Sequence, residues 1–272
     1  NKFLHTIKNL YPFLVGILLI FFLFLEISSI STESQTMDEG VHLTAGYTYL
    51  KTGDYRLNAE HPPLIKILSA LPLLVSNPSL PLSAPSWLNA DEWIFANEFI
   101  YNTDHNGLTA DQLFFLGRLP IIFLSIIFGI TIAYITKKYS PHKYSYLASL
   151  LALFLYCFSP LIIAHSRYVT TDLGISLSYL LTVYFLGKYL KSPVLKNLLL
   201  FSLFFAISQV VKFSALFLLP IFCILYFLAH YYFSKKLGWK KFIFALFVML
   251  VISSVVIFIS YGFELKAPNS DP

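Results

Sequence analysis

Long apolar runs separated by short charged connectors dominate the chain. Few charges fall within residues 9–31, 113–136, 144–163, 172–190, 197–233 and 242–261. In an α-helix about 20 apolar residues, each rising 1.5 Å, cross a hydrocarbon core of roughly 30 Å. The pattern therefore predicts an all-α polytopic membrane protein whose crossings are made by helices.

The basic connectors predict how these helices are oriented. Lysines cluster at the start of the chain and in the turns at 137–143, 188–196 and 235–241. The positive-inside rule places all of them in the cytoplasm. Residues 32–112 then lie outside, and the run 197–233 must cross twice, turning near Lys212. About seven transmembrane helices and a cytoplasmic N-terminus result.

This order of segments predicts a single membrane domain over residues 1–272. The long first outer loop contains an apolar stretch, 64–75, that is too short to cross and is expected to form a juxtamembrane helix. The parts of the domain are the first span at 9–31, the outer loop at 32–112, six further spans within 113–261 and an outer tail at 262–272.

Composition and charge sharpen this picture. The chain is 57% apolar and 12% charged, whereas an ordinary soluble domain carries about a quarter charged residues. The net charge is +5, but the two signs are separated along the chain. The acidic residues all fall in predicted outer segments, and the lysine clusters fall in predicted cytoplasmic ones. The basic rim suits anionic membrane lipids. Since its lysines form no patch on a folded domain, a nucleic-acid partner is excluded.

The first outer loop holds an unusual density of reactive side chains, in MDEGVHLTAGYTYLKTGDYRLNAEHPPLIK at 37–66. Thr36 and Glu39 have the spacing of a capping box, which predicts a helix that Gly53 can end. Asp38 and His42 lie one turn apart on that helix and can cooperate. Taken singly, Glu39 could be only a cap and Asp38 only a first-turn carboxylate.

The second outer segment, AHSRYVTTD at 164–172, carries His165, Arg167 and Asp172. Ionisable groups at membrane depth are costly, so they indicate a functional site by default. Glu26 and Lys212 extend the same argument, although snorkelling or a salt bridge could satisfy either. The two outer segments together therefore predict one site at the membrane surface.

These motifs resemble a known family. MDEGVH, EHPPLIK and SRYVTTD are similar to the pattern of the protein O-mannosyltransferases and their bacterial relatives, the family 39 type glycosyltransferases of the GT-C fold. The resemblance spans roughly residues 9–220. Because eukaryotic members are far longer, it implies that the C-terminal part of the family is absent from this chain.

The resemblance implies a reaction and a set of catalytic residues. A sugar passes, with inversion, from a polyprenyl-phosphate donor to a hydroxyl of a protein or lipid acceptor on the extracytoplasmic side. A carboxylate must remove the acceptor proton, and the candidates are Asp38 and Glu39. Glu39 would shape the acceptor pocket or raise the proton affinity of its neighbour. Substrate binding is expected from His42, Glu60, His61, His165 and Asp172.

Cations are expected where the leaving phosphate gains charge. Arg167 and Lys212 are the candidates, with Lys66 and Arg118 as weaker ones. Asp172 is expected to orient Arg167 or to help hold a substrate.

A divalent metal is possible but is not required by the resemblance. Glu60 matches the position where the related lipid A aminoarabinose transferases hold a zinc ligand. Glu60 and His61, with His42 and His165, could supply oxygen and nitrogen ligands. Their spacing is not diagnostic of a metal site.

Two other classes of function stay open. A non-catalytic lipid-binding or assembly subunit could be related to these enzymes without their activity. A transporter is less favoured, since its ionisable residues would lie near the bilayer midplane on spans broken at matched positions of two halves.

Overall fold

The computed structural model describes residues 2–30, 33–102, 104, 107–232 and 237–263, which are mostly helical and include no strand. In chain order the helices are α1 (Lys2–Ile30), α2 (Met37–Thr52), α3 (Leu64–Ala70), α4 (Leu73–Ser76), α5 (Pro85–Leu88), α6 (Glu92–Asn97), α7 (Ala110–Tyr139), α8 (Ser145–Cys157), α9 (Pro160–His165), α10 (Asp172–Lys191), α11 (Leu195–Val211), α12 (Leu218–Tyr232) and α13 (Trp239–Ser260). A π-helical turn over Glu98–Asn102 extends α6, and a 3-10 helix over Phe213–Phe217 leads into α12. The predicted outer tail, beyond Phe263, lies outside the described residues.

The chain is an integral membrane protein. Among the described residues, five helices are long and apolar enough to cross a bilayer: α1, α7, α10, the segment Phe213–Tyr232, and α13. The prediction of an all-α polytopic fold is therefore confirmed, although two of the seven predicted spans are shorter. Helix α11 has 17 residues, and the span predicted at 144–163 is divided into α8 and α9.

Pro160 explains the division between α8 and α9. The residue before a proline is driven out of the α region, and Ser159 adopts an extended conformation with φ −73° and ψ 118°. Pro160 then occupies the first turn of α9, where its missing N–H is not needed. The break between α11 and the next helix falls at Lys212, which is also extended, as the sequence predicted.

Segments predicted to share a side of the membrane meet at the same end of the bundle. Arg118, near the start of α7, donates a hydrogen bond to the carbonyl of Ile30 at the end of α1 (2.8 Å). Tyr261, directly after α13, packs its ring 5.4 Å from that of Tyr55 in the first loop. At the other end of α7, Lys137 lies 4.5 Å from the ring centroid of Tyr11. The helices thus alternate in direction as the charge pattern requires.

Local signals shape the first outer loop as expected. Helix α2 begins after Thr36, whose backbone N–H donates to the Glu39 carboxylate (3.0 Å), and it ends at Gly53, which has a left-handed φ of 72°. Gly46 allows α3 to cross α2 closely, because a Cβ at Gly46 would lie 2.0 Å from the carbonyl oxygen of Lys66. Both α3 and α4 are too short to span a bilayer.

Helix α2 is buried, although it belongs to a loop. Leu43 and Tyr47 are fully buried in a cluster with Leu113 and Phe114 of α7. This packing fixes α2 against the outer end of the bundle. Other faces of α2 pack against α3 and α6, and Glu39 and His42 reach Val169 in the turn between α9 and α10.

Candidate functional site

Glu39 joins three parts of the chain. Its carboxylate is fully buried and accepts two hydrogen bonds from the guanidinium of Arg118, from Nε (2.9 Å) and Nη2 (2.8 Å). It also accepts the backbone N–H of Val169 (3.0 Å) and that of Thr36. A buried carboxylate needs this degree of compensation. Glu39 therefore ties α2 to α7 and to the second outer segment.

All the N–H donors of the Arg118 guanidinium are occupied by hydrogen bonds within the protein. It is 1% exposed, and besides Glu39 it donates to the backbone carbonyls of Ile30, Glu33 and Ser34. The expectation that Arg118 binds the donor phosphate is wrong, because its guanidinium has no face open to a ligand. Instead, it fixes the backbone that leads from α1 into α2.

His42 is held by Val169 as well. Its Nδ1 lies 2.8 Å from the Val169 carbonyl oxygen, and because a carbonyl only accepts, Nδ1 carries the proton. Burial lowers the pKa of His42 to about 4, so the ring is neutral near pH 7 and Nε2 keeps its lone pair. The ring of His61 packs edge-on against it, with centroids 5.2 Å apart.

Several nearby charged side chains affect the pKa of His61. Burial lowers the pKa of His61, and the nearby Lys66 and Lys212 lower it further, while Asp38 and Glu60 oppose them. Since Asp38 also acts against the lowered pKa of His42, its carboxylate lies within electrostatic reach of both rings. The predicted proximity of Asp38 and His42 is thus supported.

Lys66 holds the Glu-His-Pro-Pro turn and is fully buried. Its Nζ lies within hydrogen-bond distance of four acceptors, for which it has three N–H donors: the carbonyl oxygens of Asn58 (2.7 Å) and His61 (2.7 Å), Asn58 Oδ1 (3.2 Å) and the Tyr49 hydroxyl (3.0 Å). Burial lowers the pKa of Lys66 to about 7. The expectation that Lys66 binds phosphate is wrong for the same reason as for Arg118, and its contacts position His61.

Asp172 and Lys212 form an accessible ion pair at the ends of α10 and α11, with Oδ1 and Nζ 2.9 Å apart. His165 approaches the other oxygen of Asp172, at 3.8 Å. These side chains are between one third and one half exposed, so they can reach a ligand. The structure thus brings together three predicted site residues.

Arg167 has a different partner from the one expected. Its Nη2 donates to the carboxylate of Glu33 and its Nη1 to the hydroxyl of Ser29 (2.5 Å). The expectation that Asp172 orients Arg167 is wrong, because Asp172 begins α10 and faces Lys212, whereas Arg167 points from the preceding turn toward the end of α1. Arg167 and Lys212 are two separate cationic positions.

The two remaining predicted residues are open to solvent. Asp38 and Glu60 are both exposed, Asp38 in the first turn of α2 and Glu60 next to His61. Among the residues described, no group of three or more His, Cys, Asp or Glu side chains is arranged to hold a metal ion. The metal site at Glu60 and His61 stays a prediction.

Sequence reasoning missed Glu33 and Tyr168. The Tyr168 hydroxyl donates to the second oxygen of Glu33 (2.5 Å), and its ring lies 5.6 Å from the Arg167 guanidinium carbon. Tyr168 lies within the SRYVTTD motif, next to Arg167, but was not assigned a role, and Glu33 belongs to no recognised motif. Only the fold brings them together.

Comparison with known proteins adds one finding. A sequence model of the family described as dolichyl-phosphate-mannose-protein mannosyltransferase matches residues 110–259, more than half of the chain. The matched region begins with α7 and reaches almost to the end of α13. It contains Arg167, Asp172 and Lys212 and follows the loop that holds Asp38. No curated protein and no solved structure gives a significant match.

Proposed function

Since the chain belongs to the dolichyl-phosphate-mannose-protein mannosyltransferase family and is a membrane glycosyltransferase of the mannosyltransferase type, we propose that it transfers a sugar from a polyprenyl-phosphate donor to an acceptor hydroxyl, with Asp38 as the general base. One observation carries this proposal. Glu39 and His42, which follow Asp38 by one and four residues in α2, both bond to the backbone of Val169. An exposed carboxylate is thereby held beside the segment that carries Arg167 and Asp172.

The proposed reaction is a single displacement with inversion. Asp38 removes the proton of the acceptor hydroxyl as its oxygen bonds to the anomeric carbon, while the bond from that carbon to the phosphate oxygen breaks. The sugar passes through an oxocarbenium-like transition state. Negative charge develops on the leaving polyprenyl phosphate, where Lys212 and Arg167 supply positive charge.

His42 is proposed to be a positioning residue. It is 2% exposed and its Nδ1 proton is bonded to the Val169 carbonyl, so it holds α2, and with it Asp38, against the second outer segment. Its ring is neutral near pH 7 and therefore adds no positive charge beside the proposed base. Glu39, with its carboxylate fully bonded, acts as a positioning residue.

We also propose an orientation in the membrane from the positions of the lysines. The lysine-rich ends of α7 and α10 lie in the cytoplasm, and the end with Asp38 lies on the extracytoplasmic side. The donor's polyprenyl chain would then stay in the outer leaflet while its phosphate reaches Arg167 and Lys212. A protein hydroxyl is the acceptor class that the family indicates.

Reconstituted protein tests the proposal directly. The unmodified chain in liposomes is given polyprenyl-phosphate mannose and a serine- or threonine-containing peptide, and the transfer of mannose is measured. D38N should reduce kcat by 10²-fold or more, as expected for loss of a general base, while donor binding is retained. An unchanged rate in D38N would exclude this base. No transfer by the unmodified chain, despite tight donor binding, would favour the lipid-binding subunit.

A further inference from the structure

The protein contains two arginine–carboxylate pairs at the site, and they are built differently. Arg118 and Glu39 form a two-point contact through Nε and Nη2, and their side chains are 1% and 0% exposed. Arg167 and Glu33 share one contact, through Nη2, and the Glu33 side chain is 29% exposed. The first pair is completely buried, whereas the Glu33 side chain of the second pair is partly exposed.

The guanidinium of Arg167 is incompletely bonded. Its Nε is buried and has no hydrogen-bond partner among the residues that the structure describes, although Arg167 as a whole is only 8% exposed. Nε and Nη2 together form the edge that binds two oxygens of a carboxylate or phosphate in parallel. Glu33 occupies half of this edge, so a larger anion would satisfy it better.

Tyr168 provides a further donor to the same anion. Its hydroxyl bonds to the oxygen of Glu33 that Arg167 does not contact. Burial and this hydrogen bond raise the pKa of Tyr168, so the hydroxyl keeps its proton and donates. Arg167 and Tyr168 therefore form a two-residue anion site that a side chain of the protein now fills.

Glu33 can leave this site without a change of fold. Its own backbone carbonyl and that of Ser34 are held by Arg118 (3.1 and 3.2 Å). The backbone therefore stays in place while the partly exposed side chain rotates away. Ser29, which bonds to Nη1 of Arg167 (2.5 Å), keeps the guanidinium in position during the exchange.

From this geometry we infer that Glu33 competes with the donor phosphate for Arg167 and Tyr168. Its carboxylate bonds to these two residues before the donor binds, and the donor phosphate then displaces it. After transfer, the carboxylate returns and displaces the polyprenyl phosphate product. The inference rests on the proposed function, because it assigns the anion of that reaction to this site. It adds Glu33 as a competitor and Tyr168 as a contact of the phosphate. A phosphate fits because its several oxygens can meet Nε, Nη2 and the tyrosine hydroxyl at once.

Binding of farnesyl phosphate to the full chain in detergent tests the inference, with farnesol as the uncharged comparison. E33Q keeps the shape of the side chain but removes the competing charge. We expect its Kd for farnesyl phosphate to fall about fivefold, equivalent to about 1 kcal/mol since 1.4 kcal/mol is tenfold. Farnesol binding should be unchanged. Y168F, which lacks the second donor, should bind farnesyl phosphate more weakly than the unmodified chain.

D111N is the matched control, because Asp111 is an exposed carboxylate in the first turn of α7 at the same end of the bundle. It should leave Kd within twofold, which separates local competition from a general change of charge. An unchanged or raised Kd in E33Q would overturn the inference. If the Kd of E33Q were unchanged or raised while the unmodified chain still transferred the sugar, the proposed function would stand and only this inference would fail. If the unmodified chain transferred no sugar in any assay, the proposed function itself would be contradicted.

Discussion

Replacing Glu39 by glutamine should destabilise the protein strongly. The substitution keeps the size of the side chain but removes the charge that faces Arg118, and Arg118 is 1% exposed. It also places an amide N–H₂ where one carboxylate oxygen accepts bonds from Arg118 and Thr36 and the other from Arg118 and Val169. Whichever way the amide is oriented, donors then face donors.

The structure sets the size of this effect. Removing one partner of a fully buried ion pair costs about 3–5 kcal/mol, because the other charge stays buried without compensation. At about 2–4 °C per kcal/mol for a chain of this size, the Tm should fall by roughly 6–20 °C.

Thermal unfolding in detergent, followed by circular dichroism, measures these differences. D111N serves as the control because it removes an exposed carboxylate, and its Tm should stay within about 2 °C, corresponding to the small effect of most surface substitutions. If E39Q were as stable as D111N, the interpretation that Glu39 links the two outer segments would be refuted.

Three further predictions use other parts of the chain. The unfolded state protonates His42 near pH 6.5 and the folded state only near pH 4, so stability should fall as pH drops through this window, and H42N should lessen that slope in unfolding measurements. G46A should cost roughly 1–3 kcal/mol by overpacking against backbone, whereas G187A, where a Cβ meets nothing within 4 Å, should not destabilise. K138Q/K188Q, which removes two lysines packed against the Tyr184 ring, should reduce the retention of anionic but not neutral phospholipids in native mass spectrometry.

Local features could be predicted from the sequence because a few neighbouring residues determine them. The start of α2 at Thr36, its end at Gly53 and the break at Lys212 all depend on capping, backbone freedom and charge within one or two turns. The division at Pro160 was missed, although its signal was present, because apolar length was given more weight than the proline.

Long-range pairing could not be predicted in the same way. Glu39 and Arg118 are far apart in sequence, as are Glu33 and Arg167, and many carboxylates could have faced either arginine. The resemblance to the family suggested that Asp172 orients Arg167 or helps to hold a substrate. In the structure the turn before α10 directs Arg167 toward the end of α1, and Asp172 pairs with Lys212 instead. Ion pairs at this site therefore follow from helix packing, which a single sequence does not specify.

Photo-cross-linking of a donor analogue tests the central claim most directly, namely that both outer segments form one site for a lipid-linked sugar. A polyprenyl phosphate with a photoreactive group beside the phosphate would be bound to the reconstituted protein, and the labelled peptides identified. The account predicts labels both in residues 33–42 and in residues 165–172, with competition by polyprenyl-phosphate mannose. Labels confined to one of these segments, or found at the lysine-rich opposite end around 137–143, would contradict it.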